Sequence, residues 1–528
     1  MASTFQVVDL FAGPGGLAEG FASVSAPGGA RPFQIALSVE KDHVAHGTLR
    51  FRAFLRQFTD GFPDKYYSFL NGEIEEPNWA EAYPDQWAAA EKEALLLELG
   101  SEGADQLLQP YLDSVKNSAG DQTIVIGGPP CQAYSIAGRA RNKGVVDYEP
   151  EKDNRHFLYQ EYIKILEILK PAAFVMENVK GILSSSVGGQ AIFKKILADL
   201  DEIGGDDFTY ELYAFESDDN GAGCLRATRE PKDFLIRSEF FGVPQARHRI
   251  IIIGVRQERI PQLRKKSSRA KSLSSFSQKV TVKDVLAGLP RLRSGVSKGD
   301  SVESWKSAMA RSVADVMRAT SHSADENLKK VYTRSRQLAL QMGSGSSPTL
   351  RSDNGTGKVP NSFPPSLRAW IIDPKLKRLS NHASRGHMES DLARYFFASV
   401  YAEICGRSPV AKDYPIELAP SHKNWETGIF SDRFRVQLWG SPSTTITSHI
   451  AKDGHYFIHP DPLQCRALTV REAARLQTFP DNYRFLGNRT QQFEQVGNAV
   501  PPFLARQIGS ALHTLLNSMV HAGDKEPG

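Results

Sequence analysis

Cys131 stands out among the residues that could do chemistry, because Gly-Gly-Pro-Pro precedes it at the end of a short apolar run, residues 123–126. Each proline fixes φ and removes a backbone donor, so the sequence predicts a stiff turn that presents the thiol. A free thiol is only partly ionised at neutral pH, but its thiolate is a strong nucleophile. The pattern therefore favours a nucleophilic cysteine over the commoner inert core cysteine.

Charged residues lie beside two further apolar runs. Glu177 follows residues 173–176, where an apolar neighbourhood could raise its pKa and let it hold a proton for a ring nitrogen of a substrate. Arg247 and Arg249 alternate before residues 250–255, so both guanidiniums face one side of an extended segment and suit a phosphate or a carbonyl oxygen. A helix cap or a surface acid is the alternative interpretation for Glu177, and solvated charges at the end of a strand are the alternative for the two arginines.

A glycine-rich loop, Phe11–Gly16, directly follows the first apolar run. Glycines let the backbone turn tightly at the end of a first strand and approach a nucleotide-like ligand. Glu40 ends the next run, where an acid can accept hydrogen bonds from ribose hydroxyls. The G-x-G-G spacing is not that of a dinucleotide fingerprint, so it favours a nucleoside without a pyrophosphate, such as S-adenosylmethionine. An ordinary strand-to-helix turn with a solvated acid is the alternative.

The elements that must position these residues alternate between β-rich runs and helical patterns over the first 256 residues. This alternation predicts a doubly wound α/β domain with a mostly parallel sheet. We predict strands at 5–10, 33–39, 123–126, 173–176 and 250–255, and helices at 157–169 and 191–200. A capping box at Thr469 predicts a helix through Gln477, and a final helix is expected from Pro502 to about Asn517.

Composition sets the broad class of the protein. With 528 residues, 41% hydrophobic and 23% charged, the chain is expected to fold into two or three ordinary domains. The four cysteines contain no CxxC pair, which argues against disulfides and a structural zinc site. Neither a leader sequence nor a run of 18 apolar residues is visible, so we expect a cytoplasmic protein without a membrane partner. The net charge of +4 decides nothing about partners.

Six segments, in this order, resemble the cytosine-C5 DNA methyltransferase family. They are DLFAGPGG, GGPPCQAYSIAGR, ENV, QARHR, RALTVREAARLQTFPD and QVGNAVPP. The resemblance covers nearly the whole chain except the middle, about residues 257–440. It implies a Rossmann-like, S-adenosylmethionine-dependent catalytic domain with a second, smaller and irregular target-recognition domain.

The resemblance also implies a mechanism. Cys131 would attack C6 of cytosine while Glu177 binds or protonates N3, and the activated C5 would then take the methyl group. Arg249 would contact the base oxygen O2, and Arg247 would support the site. Because C6 is inaccessible inside a duplex, the target cytosine would have to be flipped out of the stack. The other predicted substrate contacts are Pro129, Gln132, Ser135, Asn178 and Val179.

For the cofactor, the resemblance implies S-adenosylmethionine, with S-adenosylhomocysteine as the product and no metal. Phe11 would stack on the adenine, Glu40 would bind the ribose, and Asn498 with Ala499 would lie near the methionine part. Glu73 is the candidate for the contact to the adenine amino group. The complete predicted set is Phe11, Ala12, Gly13, Gly15, Gly16, Glu40, Glu73, Pro130, Asn498 and Ala499.

The domain organisation follows from the same pattern. We predict a catalytic domain at residues 1–256, a target-recognition domain with a hinge helix at 257–484, and a C-terminal segment at 485–528 that returns to the catalytic domain. Residues 284–465 show no clean alternation of strands and helices, and their fold is not predictable from pattern. The Ser-rich basic stretch Arg259–Lys283 could neutralise DNA phosphates or serve as a solvated linker. Thr444–Thr447 resembles the Thr-containing segment of such recognition domains.

The predicted partner is double-stranded DNA, bound by a monomer associated with the nucleoid of a prokaryote. We expect a role in restriction-modification or phage defence, with any nuclease or defence protein encoded as a separate chain. Two alternatives stay open, a transfer-RNA cytosine-C5 methyltransferase and a catalytically inactive DNA-binding relative. A dinucleotide oxidoreductase is less favoured, because it offers no role for the Pro-Pro-Cys turn.

Overall fold

The structure is a computed structural model that describes residues 4–26, 28–130, 158–187, 190–205, 207–217, 222–257, 271–276, 278–343, 345, 347–420, 425 and 432–523. Three predicted site residues, Cys131, Gln132 and Ser135, lie outside these ranges. By its internal contacts the chain divides into two compact units. The first comprises Met1–Pro63, Pro77–Lys279 and Ala499–Gly528, and the second comprises Asp64–Glu76 and Val280–Asn498.

The described strands are numbered in chain order. They are β1 (Phe5–Leu10), β2 (Phe33–Glu40), β3 (Ala94–Leu96), β4 (Thr123–Gly127), β5 (Ala173–Val179), β6 (Ser186–Val187), β7 (Gln190–Ala191), β8 (Tyr210–Ser217), β9 (Ala222–Ala227), β10 (Leu235–Arg237), β11 (Gln245–Ala246), β12 (His248–Arg256), β13 (Lys271–Ser275), β14 (Gly295–Val296), β15 (Gly386–His387) and β16 (Ser443–Thr444).

The described α-helices are numbered in the same way. They are α1 (Gly16–Ala22), α2 (His43–Arg56), α3 (Asp64–Leu70), α4 (Trp79–Ala82), α5 (Pro84–Glu93), α6 (Ala104–Ala119), α7 (Leu158–Leu169), α8 (Ile192–Glu202), α9 (Val282–Leu286), α10 (Val302–Thr320), α11 (Glu326–Gly343), α12 (Pro365–Ile371), α13 (Glu389–Cys405), α14 (Val470–Leu476), α15 (Arg489–Asn498) and α16 (Pro502–Gly523). Within the described ranges, every helix is too short or too polar to cross a lipid bilayer.

The first unit is built on one large sheet. Its described strands run in the order β13-β9-β8-β12-β5-β4-β1-β2-β3, with β10 paired to β12. The five strands from β5 to β3 are parallel, whereas β12, β8, β9 and β13 pair antiparallel. The expected α/β fold with a mostly parallel central sheet is confirmed.

The central strands are buried on both faces, and this explains their continuous apolar runs. On one face, Val7 and Ile124 belong to a core that includes Leu504 and Ile508 of α16. On the other face, Val8 and Val125 join a core with side chains of α7 and α8. Because helices cover both faces, the polar ends of the parallel strands are left at the sheet edge, where a ligand can approach.

The predicted elements of the first unit are confirmed to within a few residues. β1 has its predicted bounds, β5 and β12 are longer at the ends that carry Glu177 and Arg249, and α7 and α8 match the predicted helices. Four strands, β3, β9, β10 and β13, were not predicted. Each is short, with three to six residues, and pairs with a strand that is distant in sequence or lacks a clear apolar run.

The second unit is more helical than its sequence indicated. Long helices α10, α11 and α13 share a core that includes Trp305, Leu338 and Phe396. A Ser301–Ser304 capping box begins α10, a local signal that sequence analysis overlooked. The predicted capping box at Thr469 is present, with Glu472 as its partner, and α14 follows it. The predicted domain ranges stay a prediction; the observed units assign residues 64–76 and 485–498 to the second unit.

Candidate active site and cofactor loop

The glycine-rich loop turns sharply between β1 and α1. Phe11, Gly13 and Gly15 have φ values of 56°, 58° and 96°, in the left-handed region that favours glycine. The Ala12 N–H donates to the carbonyl of Val39 at 3.0 Å, which fixes the loop to β2. A Cβ at Gly13 would meet no atom within 4 Å, so space is open beside the loop. The loop turns as the glycine pattern predicted and leaves room beside Gly13, and binding of a nucleoside there stays a prediction.

Glu40, at the end of β2, ties this loop in place. Its Oε2 accepts from the Gly13 N–H at 2.7 Å, and its Oε1 accepts from the Asp42 N–H at 2.7 Å. Burial raises the pKa of Glu40, while these backbone hydrogen bonds act against the rise. Each carboxylate oxygen has a second lone pair, so the side chain can organise the loop and still accept from a ribose hydroxyl.

The helix after the loop packs unusually close to the C-terminal helix. A Cβ at Gly16 would lie 2.3 Å from the Val500 carbonyl oxygen, and one at Gly20 would lie 2.4 Å from the Ala505 Cβ. The same Gly16 position is 3.4 Å from the Cβ of Ala499. Ala499 is therefore brought to the start of α1, although it is distant in sequence. The close approach also gives Gly16 a packing role besides its predicted cofactor role.

A buried ion pair links α1 to α2, and sequence analysis missed it. Arg52 of α2 donates to both carboxylate oxygens of Glu19, at 2.8 and 2.5 Å. Both side chains are almost completely buried. Their positions in the helical pattern resemble ordinary surface charges, so only the tertiary structure identifies them as partners.

The Gly-Gly-Pro-Pro turn passes directly beside Glu177. A Cβ at Gly128 would lie 3.0 Å from Glu177 Oε2, so a larger residue there would displace the carboxylate. Asn178 Nδ2 reaches the carbonyl of Pro129 at 3.4 Å, and its Oδ1 accepts from the Val179 N–H at 2.8 Å. This proximity follows from the parallel pairing of β4 with β5, which puts Gly127 opposite Met176. Pro130 is the last described residue before Cys131.

Arg249 is the ion-pair partner of Glu177. The antiparallel pairing of β12 with β5 brings them together, and Arg249 Nε lies 2.9 Å from Glu177 Oε1. Their side chains keep 15% and 13% exposure, so the pair is largely desolvated yet reachable. Burial lowers the pKa of Arg249, and Glu177 opposes that change. A charged fork beside a carboxylate can bind both a carbonyl oxygen and a ring nitrogen of a planar base.

Arg247 lies deeper, with 1% exposure. Burial, and then the charge of Arg249, hold its pKa well below the usual range. Ser238 fixes the backbone here, because its N–H and Oγ both donate to the Arg247 carbonyl, at 3.1 and 2.6 Å. Sequence analysis missed Ser238, and no sequence signal distinguishes its role from that of any serine before a turn.

The predicted residues therefore form two neighbouring groups at one sheet edge. Phe11–Gly16 and Glu40 follow β1 and β2, while the Gly-Gly-Pro-Pro turn and Glu177 follow β4 and β5. Pairing of β1 with β4 puts Leu10 opposite Gly127, so the two loops leave adjacent strands. This is the edge of an open α/β sheet at which ligands bind.

Two predicted cofactor residues belong to the second unit. Glu73 is exposed, and its Oε1 accepts from Lys377 Nζ at 2.7 Å, a hydrogen bond that lowers the pKa of Glu73. Asn498 is the exposed last residue of α15. The contacts of Glu73 give no support to an adenine contact, and both assignments stay predictions.

The histidines that could suggest a metal have structural partners. His382 lies 3.0 Å from Thr469 Oγ1 and 3.1 Å from the Pro290 carbonyl, and His387 Nε2 accepts from the Ala467 N–H. Burial lowers the pKa of both rings. In the part of the chain that the structure describes, no group of three or more His, Cys, Asp or Glu side chains is arranged to hold a metal ion.

Comparison with known proteins agrees with this geometry. The family model for C-5 cytosine-specific DNA methylases matches residues 112–514. The type II methyltransferase M.Bpa9945I of Bacillus paralicheniformis is 32% identical over 97% of this chain and 99% of its own length. The type II methyltransferase M.AgeI of Thalassovita gelatinovora is 27% identical over 75% of this chain and 84% of its own.

A solved structure also shares the fold. A DNA modification methyltransferase encoded within an E. coli prophage superimposes with a TM-score of 0.51, at 20% identity, over 97% of this chain and 100% of its own. The family match covers most of the chain, including the Gly-Gly-Pro-Pro turn, Glu177 and Arg249, and the chain belongs to the C-5 cytosine-specific DNA methylase family.

Proposed function

We propose that this C5 cytosine methyltransferase acts on duplex DNA by covalent catalysis on a cytosine flipped out of the stack. The observation that carries the proposal is the Glu177–Arg249 pair beside the Gly-Gly-Pro-Pro turn, with Oε1 and Nε 2.9 Å apart. A carboxyl group and a guanidinium presented together match the N3 and O2 edge of cytosine. The base must leave the helix to reach them, because C6 and this edge are blocked in a stacked pair.

Cys131 is proposed as the nucleophile. Its thiolate adds to C6, and Glu177 hydrogen-bonds or protonates N3, so the electron pair gained by the ring is held at C5. After C5 takes the methyl group, loss of the C5 proton to water restores the C5–C6 double bond and expels the thiolate. The rigid turn ending at Pro130 would limit the conformations of the cysteine before attack.

Arg249 and Asn178 are proposed to position these groups. Arg249 holds Glu177 and offers its remaining donors to the base oxygen O2. Asn178 spans the gap between β5 and the Pro129 carbonyl, which keeps the turn next to Glu177. Arg247 would support Arg249 from the buried side, and Val179 would line the pocket. Gln132 and Ser135 are proposed to contact the DNA strand that carries the target base.

S-adenosylmethionine, which this family uses, supplies an electrophilic methyl group when bound. The loop Phe11–Gly16 and Glu40 are proposed to bind its nucleoside part, because open space lies beside Gly13 and Glu40 retains free lone pairs. Phe11 would stack on the adenine. Pro130, Asn498 and Ala499 would complete the site, and Glu73 is the least supported member of the set.

The biological role is proposed from the relatives. M.Bpa9945I and M.AgeI are type II methyltransferases, so this chain is proposed to mark host DNA in a restriction-modification or phage-defence system. The nuclease or defence partner would be a separate protein, and the enzyme would act as a monomer on DNA in the cytoplasm.

The test uses duplex DNA of mixed sequence in which cytosine is replaced by 5-fluorocytosine. With S-adenosylmethionine present, C5 takes the methyl group but carries fluorine in place of the proton that must be removed. The thiolate then cannot be expelled from C6, so the protein should stay covalently attached to the DNA and survive denaturing electrophoresis. In parallel, tritiated S-adenosylmethionine with ordinary duplex DNA should label 5-methylcytosine. Bulk transfer RNA serves as the competing substrate.

Cys131→Ser should abolish both the covalent complex and the label while S-adenosylmethionine still binds. Cys405→Ser is the matched control, because Cys405 is a partly buried thiol of the second unit, and it should behave like the parent protein. Turnover retained by Cys131→Ser would refute covalent catalysis through this residue. Label only in transfer RNA would keep the chemistry and refute the DNA substrate.

A further inference from the structure

Two arginines of the second unit share one carboxylate, and a third arginine lies next to them. Arg293 Nη1 lies 2.8 Å from Asp300 Oδ1, and Arg351 Nη1 lies 3.2 Å from Asp300 Oδ2. Arg351 Nη2 and Arg489 Nη1 then donate to the same carbonyl oxygen, that of Ser384, each at 3.1 Å. Two guanidiniums that share one acceptor must lie close together.

Arg385 extends this cluster into the interior, with 8% exposure. Its guanidinium donates to the carbonyls of Lys452 and Ala451, at 3.1 and 3.3 Å, and lies over the ring of Phe493, 5.1 Å from the ring centroid. These contacts are neutral, so they hold the cation in place without cancelling its charge. Arg385 therefore adds positive charge behind Arg489.

The charges in this cluster are unbalanced. Among the described residues, the ion pairs of these arginines involve one carboxylate, Asp300. Arg293 lowers the pKa of Asp300 to about 2, so this carboxylate supplies one full negative charge. Asp453 also faces Arg385, but it is paired with Arg433 at 3.1 Å.

Mutual repulsion is visible in the arginines themselves. Burial and then Arg351 lower the pKa of Arg489, and burial and then Arg489 lower the pKa of Arg385. An anion placed between the guanidiniums would relieve this repulsion and use their free donors. Arg489 is exposed at the start of α15 and Arg351 keeps 34% of its side-chain exposure, so such an anion can enter from solvent.

We propose that Arg351 and Arg489, backed by Arg385, bind a phosphodiester of the DNA backbone. The planar guanidinium fork matches phosphate oxygens, and phosphate contacts set the register of a protein on a duplex without reading its sequence. This proposal rests on the proposed double-stranded DNA substrate. It assigns a function to residues dispersed over the second unit, outside the segments that carry the family resemblance.

The experiment measures how the affinity for duplex DNA depends on salt. The full chain is titrated with a fluorescein-labelled duplex of mixed sequence, from about 50 to 200 mM salt, and log Kd is plotted against log salt. Each phosphate neutralised contributes about 0.9 to the slope for duplex DNA. Arg489→Ala should therefore lower the slope by about 0.9, while Arg489→Lys keeps most of it.

The matched control is Arg336→Ala on α11, an exposed arginine outside the cluster, which should leave the slope unchanged. The double variant Arg351→Ala/Arg489→Ala should show the same slope as Arg489→Ala, because both residues bind the same phosphate. An unchanged slope in Arg489→Ala, or an equal fall in Arg336→Ala, overturns the proposal. Thermal unfolding of each variant shows whether it is folded. If Arg489→Ala is unstable, the salt slope of Arg489→Lys is compared with that of the parent protein instead.

Failure of the substrate assignment gives a different result. If the parent protein binds transfer RNA but not duplex DNA, the proposed DNA substrate is refuted. The same comparison of Arg489→Ala with Arg336→Ala on transfer RNA then tests the arginine site separately.

Discussion

The sheet edge of the first unit and the buried helix α14 of the second unit each hold a carboxylate paired with an arginine, but the two pairs differ in access to solvent. Glu177 and Arg249 keep 13% and 15% exposure and share one short contact. Glu472 and Arg466 keep 1% and 0%, and both carboxylate oxygens accept from Arg466 at 2.7 Å. Glu472 also accepts from the Thr469 N–H at 2.7 Å.

The difference in solvent access distinguishes an ion pair that can bind a ligand from one that stabilises the fold. Burial alone would raise the pKa of Glu472, but the charge and hydrogen bonds of Arg466 lower it, so Glu472 keeps its negative charge in a pair that solvent does not reach. Glu177 has a second oxygen directed at the Gly-Gly-Pro-Pro turn and not consumed by Arg249. We infer that an ion pair left partly open serves a substrate, whereas one sealed on all sides holds the unit together.

The sharpest test of this comparison is Glu177→Gln. The amide keeps the size of the side chain but cannot deliver a proton to N3, so methyl transfer should fall by about 10²- to 10⁴-fold. The free energy of unfolding should change little, because the Glu177–Arg249 pair is partly exposed to solvent. Glu216→Gln, in the Glu216–Arg226 pair of β8 and β9, is the control and should retain activity. Full activity in Glu177→Gln would remove the distinction between the two pairs.

The next effect is on stability. Glu472→Gln should destabilise the protein by about 3 to 5 kcal/mol, because it leaves the Arg466 charge buried without a counterion. Denaturant unfolding measures this loss. Glu389→Gln, which breaks the exposed Arg311–Glu389 pair, should cost at most about 1 kcal/mol. Equal losses in the two variants would contradict the architectural role of the buried pair.

A smaller effect is expected at the cofactor loop. Glu40→Ala removes the proposed acceptor for the ribose hydroxyls and leaves the Gly13 and Asp42 N–H groups of the loop without their acceptor. If two hydrogen bonds to the ribose, of about 1 kcal/mol each, are lost, S-adenosylmethionine should bind roughly 30-fold more weakly. Equilibrium dialysis with labelled cofactor checks this. Glu98→Ala is the control, since Glu98 forms an exposed pair with Lys41 and its loss should leave affinity unchanged. Unaltered affinity in Glu40→Ala would refute the placement of the ribose.

The smallest effect concerns pH, and it contrasts Asp9 with Glu472. Asp9 is completely buried in β1, and burial raises its pKa to about 8, although Arg56 and the Ala18 N–H oppose the rise. The folded state therefore keeps the proton that the unfolded chain releases near the ordinary aspartate pKa. The stability from this group is full at acidic pH and is lost as the pH rises to about 8.

Asp9→Asn should remove that component, so its unfolding temperature should fall less than that of the parent protein between pH 5 and about 8. If the unfolding temperatures of the two proteins change equally with pH across this range, Asp9 is not protonated in the folded protein. Glu472→Gln is the opposite case, because the lowered pKa of Glu472 makes its contribution largest at neutral pH and lost only in strong acid.

Sequence alone determined the strands β1, β2, β4, β5 and β12 of the first unit, their order along the chain and the residues at their ends. The apolar runs that end in Phe11–Gly16, Glu40 and Glu177 are local patterns, and so is the capping box at Thr469. Such signals depend on backbone conformation and burial over a few residues, which is why strand and helix bounds in the first unit agree with prediction. No helices were predicted from apolar periodicity in the middle of the chain, although α10, α11 and α13 are regular helices.

Only the tertiary structure decided which side chains meet. The pairing of Arg249 with Glu177 depends on β12 lying antiparallel to β5, and the Arg52–Glu19 pair joins residues of two helices that are 33 positions apart in sequence. Glu73 was assigned to the cofactor from resemblance, but its observed partner is Lys377. The clustered arginines Arg293, Arg351, Arg385 and Arg489 come from four separate segments of the chain. Charge pairing is non-local, so a sequence shows which charges exist but not which of them remain unbalanced.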